Sequence, residues 1–284
     1  MTSRKDVKLV TNICLYLFMI TISLVFLFPY IWMLSNSFRT TEQLVSKPLA
    51  IFSGSFTLQS YKNIMSLGGK TILLYISNSL IITTASVLLA LVTSSLGAYA
   101  LTRKPNLPGF KAVMFLFLVS IMYPWALLVI PIYMVMLKLG LMGTHIGVIL
   151  AITGGTSIAL PVFIFQQFFK SIPYELIECA EVEGANELTI LTKIVIPIAK
   201  PVYGTVALIT FMFNWGEWFY VMVLSNSLKT ATLPVALLNT YGELGADINA
   251  IMALASLISV PIIILFIFTQ RNVMEGIAQG SIKG

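Results

Sequence analysis

Six apolar stretches leave this chain few folds to adopt, because each is near or above the ~20 residues that a helix needs to cross a bilayer. They lie at about residues 12–34, 72–101, 112–137, 146–169, 201–224 and 249–270. Lipid offers no hydrogen-bond partner, so a spanning segment must satisfy its own backbone, as an α-helix does. The runs are continuous rather than alternating, which argues against a β-barrel. Only 10% of the residues are charged and 58% are hydrophobic, whereas soluble domains carry about 25% charged residues. The connecting loops are too short to hold a second folded unit. The expectation is an all-α membrane protein with six transmembrane helices, residues 1–284 forming a single membrane domain.

The segments around these runs set the orientation. Arg4, Lys5 and Lys8 precede the first run, which is too long for a signal-peptide core and has no small-residue cleavage site, so it reads as a retained span. The second run exceeds the bilayer and must tilt or project into water. Prolines in the basic turn Arg103–Lys111 stop its helix. Tyr123-Pro124-Trp125 and Pro131 predict a kink or break in the third run. The fourth contains Gly154-Gly155 and Pro161. Residues 35–70 read as a polar loop, and so does the segment with Lys229, Pro234 and Asp247. An even number of spans places both termini on one side. With that side inside, eleven of the 17 Lys and Arg residues are internal (4, 5, 8, 103, 104, 111, 170, 193, 200, 271 and 283) and six are external. By the positive-inside rule, the N- and C-termini are cytoplasmic. The positive charge is scattered between spans, which speaks for topology and not for nucleic acid. Cys14 lies in an apolar run and Cys179 in a charged segment, so no disulfide is expected between them.

One segment between the fourth and fifth runs stands apart. Five of the chain's 11 acidic residues, Glu175, Glu178, Glu181, Glu183 and Glu187, fall within thirteen positions. Pro173 suits the first turn of a helix, and Glu175 and Glu178 sit where the helix dipole favours negative charge. Leu176, Cys179, Ala180 and Glu183 recur at helical spacing and predict one face, with small side chains at 179 and 180 permitting close approach. Gly184 can end the helix in the left-handed conformation. Asn186 then caps a second helix over about 187–196, closed by Pro197. Residues 173–197 thus predict a helix, a glycine corner and a helix on the cytoplasmic face. Two uses fit: an amphipathic segment on lipid headgroups, or a docking element for a protein. The anionic cytoplasmic leaflet repels five glutamates and favours docking.

Other candidates are fewer. No G-x-x-x-x-G-K-[ST] is present, so ATP binding by this chain is not expected. His145 is the sole histidine, with no metal-binding cluster around it in sequence. No nucleophile–base pairing is apparent, so no catalytic residues are assigned. Glu217 is the one carboxylate inside a span, flanked by Asn214, Trp215, Trp218 and Tyr220. It fits a pathway or gate residue and equally an interfacial carboxylate in an aromatic belt. Tyr123 and Trp125 could pack on sugar faces, although packing between helices is the commoner use. Asn78, with Ser79, Thr83 and Thr84, could line a pathway or hydrogen-bond between helices.

The charged segment carries a resemblance. Glu178-Cys179-Ala180, Gly184 and Ile194-Val195-Ile196-Pro197, at their spacing, resemble the EAA motif of bacterial binding-protein-dependent ABC importer permeases. Cys179 stands at an alanine of that motif and Ile196 at its leucine. Tyr123-Pro124-Trp125, Pro131-Ile132-Tyr133, Leu139-Gly140-Leu141, Trp215-Gly216-Glu217-Trp218, Thr232-Leu233-Pro234-Val235 and the tail Gly276–Gly284 resemble the carbohydrate-uptake branch, similar to the maltose permease subunit MalG. Gly216 replaces an asparagine usual before the fifth-span glutamate. The resemblance covers the chain from about residue 20 to its end.

The resemblance implies a type I ABC importer (MetI-like) permease fold in the bacterial cell membrane, serving a carbohydrate, with an oligosaccharide foremost. It implies a heterodimer with a second, homologous permease, two ABC ATPase subunits holding ATP and Mg, and an extracytoplasmic solute-binding protein. Glu175, Glu178, Cys179, Ala180, Glu183, Gly184 and Pro197 become candidates for ATPase coupling. Gln279, Gly280 and Lys283 of the cytoplasmic tail 271–284 become a second ATPase contact. Asn78, Tyr123, Trp125, Asn214, Trp215, Glu217 and Trp218 remain candidates for the solute pathway. Alternatives are the same fold importing another solute, such as glycerol phosphate, and a stand-alone secondary transporter. The scarcity of intramembrane charge argues against the latter. A membrane enzyme is disfavoured by the poverty of His, Cys and paired carboxylates.

Overall fold

Residues 4–51, 54–65, 72–104, 108–225, 229–243 and 247–281 are described by the structure, a computed structural model. Every regular element among them is helical. In chain order these are α1 (Arg4–Ser37), α2 (Thr41–Ser46), α3 (Gln59–Ile64), α4 (Ile72–Arg103), α5 (Phe110–Met122), α6 (Val129–Lys138), α7 (His145–Thr156) and α8 (Ala159–Phe169). There follow α9 (Tyr174–Val182), α10 (Glu187–Ile190), α11 (Ile196–Ile198), α12 (Lys200–Trp215), α13 (Phe219–Leu224), α14 (Leu233–Glu243) and α15 (Ile248–Ser281). A 3₁₀ turn (Trp125–Leu128) leads into α6, and a π-turn (Leu191–Val195) joins α10 to α11.

Three helical segments are long and apolar enough to cross a membrane unbroken: Lys8–Ser37, Ile72–Arg103 and Ile248–Gln270. Three further segments are helix pairs bent at a break: α5 with the 3₁₀ turn and α6 by 109°, α7 with α8 by 57°, and residues 187–198 with α12 by 79°. Counting each bent pair as one span gives up to six. The third run breaks at Tyr123-Pro124, whereas Pro131 lies in the first turn of α6, where its missing N–H costs nothing. The fourth run is divided at Ser157-Ile158, between its Gly154-Gly155 pair and Pro161. Pro197 does not close the helix after Asn186, which continues to Ile198 and bends at Ala199. The loop expected around Pro234 holds α14, with that proline again in a first turn. The tail continues α15 without interruption as far as Ser281.

The residues group into two compact units, 1–72 with 237–259 and 73–236 with 260–284. In the first, α1 carries an apolar surface exposed over most of its length. Its C-terminal end is organised by Arg39, which is only 2% exposed. One guanidinium nitrogen donates to Asn36 Oδ1 (2.7 Å) and the Ala50 carbonyl (2.9 Å), and the other donates to the carbonyls of Gln43 (2.5 Å) and Lys47 (2.8 Å). Asn249 donates to the carbonyls of Asn36 and Arg39, both at 2.9 Å. Arg39, counted above as a loop charge, is therefore a structural cation.

The core of the second unit joins α4 (Ala98, Tyr99), α8 (Val162, Phe165, Phe169), α9 (Ile177, Ala180), α10 and its π-turn (Ile190, Leu191, Val195) and α12 (Val202, Val206). The acidic segment is thus seated on the same core that organises the helices around it.

Replacing Arg39 by Met removes the donors to four acceptors, one in a buried bond and three in part-buried ones, and an unmet buried acceptor costs about 1–3 kcal/mol, less where water reaches it. The expected net loss is about 3 kcal/mol, read as a lowered thermal midpoint of the purified protein in detergent. Lys47→Met, at an exposed side chain, should leave the midpoint within error.

Candidate functional site

Pro173 is the N-cap of α9, one position before the first turn expected for it. The helix ends in a Schellman motif: Gly184 N–H donates to the Glu181 carbonyl and Ala185 N–H to the Ala180 carbonyl, both at 2.9 Å. Gly184 has φ +83°. A Cβ there would meet no neighbour, so glycine is required by the backbone and not by crowding. Asn186 Oδ1 then accepts from Thr189 N–H at 2.8 Å and caps α10. The expected helix–glycine–helix is present.

Its faces differ from the expectation in one respect. Ala180 does not share the outer face with Leu176, Cys179 and Glu183; it is 8% exposed and packs inward with Ile177. The helical period that puts Ile177 into the core carries Ala180 there as well. The outer face consists of Glu175, Leu176, Glu178, Cys179, Val182 and Glu183, with Val182 89% exposed. Pro197 is also exposed. Among the described residues, Glu175, Glu178 and Glu183 make no ion pair. Charge and apolar surface are therefore offered together to whatever covers this face.

The other two glutamates are used internally. Arg103, the last residue of α4, bonds Glu181 of α9, and its Nε donates to Glu187 Oε2 of α10 at 3.2 Å. Its guanidinium lies 5.7 Å from the Tyr174 ring centroid. The Tyr99 hydroxyl donates to Glu187 Oε2 at 2.6 Å. That hydrogen bond, with Arg103 beside it, holds the Glu187 carboxyl below the usual carboxylate range. Sequence reasoning treated Arg103 only as a topological charge. The available signal was an arginine closing a long apolar run on the same expected side of the membrane as the cluster of carboxylates.

Among the pathway candidates, the structure brings four together. Tyr123, Trp125, Glu217 and Trp218 line a cavity of about 660 Å³ with Phe117, Ser120, Phe213 and the stretch Gly154–Pro161. Trp125 stacks on Tyr220 at 5.9 Å and meets Phe219 edge-on at 5.8 Å. Glu217 is 8% exposed, and its Oε1 accepts from Tyr220 N–H at 2.9 Å, capping the start of α13. It is thus both a local cap and part of the cavity wall. Among the described residues, no Lys or Arg lines this cavity.

The other three candidates stand apart from the wall. Asn78 is 2% exposed and its amide is fully engaged, donating to the carbonyls of Lys229 (2.8 Å) and Ala231 (2.9 Å), while Oδ1 meets His145 Nε2 at 2.9 Å. Asn214 accepts from Ser157 Oγ at 2.5 Å and donates to Ser86 Oγ at 2.9 Å. Trp215 is buried and stacks on Phe211 at 5.5 Å. In the tail, Gln279 and Gly280 lie within α15, and Lys283 lies outside the described residues. No group of three or more metal-ligating side chains occurs among the described residues.

The chain as a whole has known counterparts. The family model described as binding-protein-dependent transport system inner membrane component matches residues 86–278. The chain is 28% identical over 259 residues to the diacetylchitobiose uptake system permease protein DasC of Streptomyces coelicolor, covering 90% of this chain and 92% of that protein. It is 31% identical over 261 residues to the melibiose/raffinose/stachyose import permease protein MelC of Bacillus subtilis, covering 90% and 91%. A chain of a bacterial ABC transporter involved in the import of the acidic polysaccharide alginate has the same fold, with a TM-score of 0.77 at 24% identity, covering 95% of this chain and 98% of that one.

The double position of Glu217 separates two effects. Glu217→Ala removes the cap and should lower thermal stability by about 1 kcal/mol. Glu217→Gln retains an acceptor oxygen and should keep wild-type stability. Thermal midpoints of the two purified variants check this.

Proposed function

This chain belongs to the family of binding-protein-dependent transport system inner membrane components, and from that membership we propose that it forms half of the translocation pathway of an ATP-driven carbohydrate importer. It crosses the membrane six times, with both termini cytoplasmic. The spans are α1, α4, the bent pairs α5–α6 and α7–α8, α12 with α13, and α15, while residues 187–198, set off from α12 by the 79° bend, stay on the cytoplasmic side. The excess of Lys and Arg on the internal side supports this orientation. A second permease completes the pathway, two ATPase subunits bind and hydrolyse ATP with Mg, and an extracytoplasmic protein delivers the solute.

The observation that carries this reading is the two-sided build of residues 173–187. Inward, Ile177 and Ala180 seat α9 in the core. Outward, three carboxylates without ion pairs alternate with Leu176, Cys179 and Val182. Such a mixed face suits a protein cleft better than anionic headgroups. Closure of the ATPases on nucleotide displaces the docked helix, the core carries the displacement to the spans, and access alternates from one side of the membrane to the other. The tail residues Gln279, Gly280 and Lys283 provide a second ATPase contact.

The cavity supports a neutral sugar as solute. Trp125, Tyr123 and Trp218 supply apolar faces for pyranose rings, and Ser120, Thr210 and Glu217 supply hydrogen-bonding groups. The absence of a lining cation disfavours an anionic solute such as glycerol phosphate. The names of MelC, for melibiose, raffinose and stachyose, and of DasC, for diacetylchitobiose, support the same class.

Glu178→Lys reverses charge on the docking face, and Gly184→Pro removes the Schellman N–H and the left-handed corner. Both variants should reach the membrane and lose ATP-dependent sugar uptake by at least about tenfold. Uptake at the wild-type rate in both would overturn the coupling role of this segment.

A further inference from the structure

We propose that α4 is the strut through which the coupling element acts, and that Arg103 is the positioning residue that fastens the element to it. This rests on the coupling reading of residues 173–187 given above and names the route by which that displacement reaches the pathway.

Three observations carry it. The first is the clasp. Arg103 takes one carboxylate from each side of the Gly184 corner, Glu181 of α9 and Glu187 of α10. Its side chain is 10% exposed, and the two carboxylates are 40% and 51% exposed. Tyr99, one turn earlier on α4, holds Glu187 as well. A single guanidinium fork and one hydroxyl therefore join both short helices to the end of α4. An arginine suits this task because its planar fork addresses two acceptors in a fixed geometry.

The second is continuity. Helix α4 runs 32 residues without a break and contains no proline. The neighbouring routes are interrupted: α5–α6 by 109°, α7–α8 by 57°, and the entry to α12 by 79°. A push delivered into a bent pair is taken up at its bend, whereas an unbroken helix transmits it along its axis. From Arg103 to Asn78 is 25 residues, or roughly 38 Å of helix at 1.5 Å per residue.

The third is what α4 holds along its length. Near its middle, Ser86 accepts from Asn214, which in turn accepts from Ser157 at the break between α7 and α8. Ser157 belongs to the cavity wall. At the far end, Asn78 donates to the carbonyls of Lys229 and Ala231, and Ser79 Oγ accepts from Leu233 N–H at 2.8 Å. These side chains are buried. One helix thus connects the docking face, the cavity wall and the segment 229–233. Asn78 and Asn214, absent from the wall itself, are the joints of this strut.

Hydrogen–deuterium exchange on the assembled complex, with and without the magnesium complex of a non-hydrolysable ATP analogue, tests the proposal. In the wild type, the analogue should change exchange both at 173–187 and at 229–236. In Arg103→Gln, and independently in Glu181→Gln/Glu187→Gln, the change at 173–187 should persist while that at 229–236 falls at least about fivefold. Arg103→Lys, which keeps the charge but not the fork, should fall between. Asn78→Ala should abolish the response at 229–236 alone. A purely structural role for Arg103 would instead move both segments together or reduce assembly. An undiminished response at 229–236 in the carboxamide double variant, or none there in the wild type, overturns the strut. No analogue-dependent change at 173–187 in the wild type overturns the coupling reading itself, so the two failures are distinguishable.

Discussion

A helix that breaks inside lipid exposes carbonyls and amides that nothing outside the protein can satisfy, and the architecture of this chain follows from how those groups are met. The break after Met122 leaves the Trp125 carbonyl to the Tyr220 hydroxyl at 3.0 Å. The break at Ser157 is bridged to Asn214 and through it to Ser86. The turn at 216–218 is closed by the Glu217 carboxylate on the Tyr220 amide. Tyr220 serves two of these breaks and lies fully buried between them. That placement explains Gly155, where a Cβ would stand 2.9 Å from both the Tyr220 hydroxyl and Ile132 Cδ1. The cavity lies among these breaks, because a broken helix pair leaves room that two straight helices would fill.

The acidic segment solves a different problem. In the docking role proposed for it, the segment must be stiff with respect to its own chain and adhesive toward another. Stiffness comes from Ile177, Ala180, Ile190 and Leu191 in the core, and from the Schellman corner. Arg103 adds a charged clasp at the water-exposed edge, where it neutralises two of five glutamates and leaves the other three to the outer face. Exposed ion pairs alone contribute little. This one is shared between two carboxylates, reinforced by Tyr99 and backed by the Tyr174 ring, so it specifies geometry more than it stabilises.

Much of the fold was legible in the sequence because hydrophobic run length is a local property. The six runs, the break at Tyr123-Pro124, the left-handed Gly184 and the Asn186 cap all follow from residues within a few positions of one another. The helix–glycine–helix of residues 173–187 was legible for the same reason: its grammar is short-range. The pathway residues were less so. Asn78 and Asn214 carry the composition expected of a pathway, yet their partners come from residues tens to more than a hundred positions away. Ala180 was misplaced because helical period alone does not say which side of a helix meets the core.

The sequence by itself determined that this protein is a helical membrane chain, roughly where its long apolar helices lie, and where the acidic helix–glycine–helix falls. Each of those follows from hydropathy, charge and turn chemistry acting along the chain. Only the tertiary structure decided which glutamates face outward and which bind Arg103, which polar side chains close helix breaks, and which aromatics surround the cavity. Those outcomes depend on where α4, α8 and α12 meet, and contacts between distant segments are set by packing and by pairing of buried polar groups, not by local pattern.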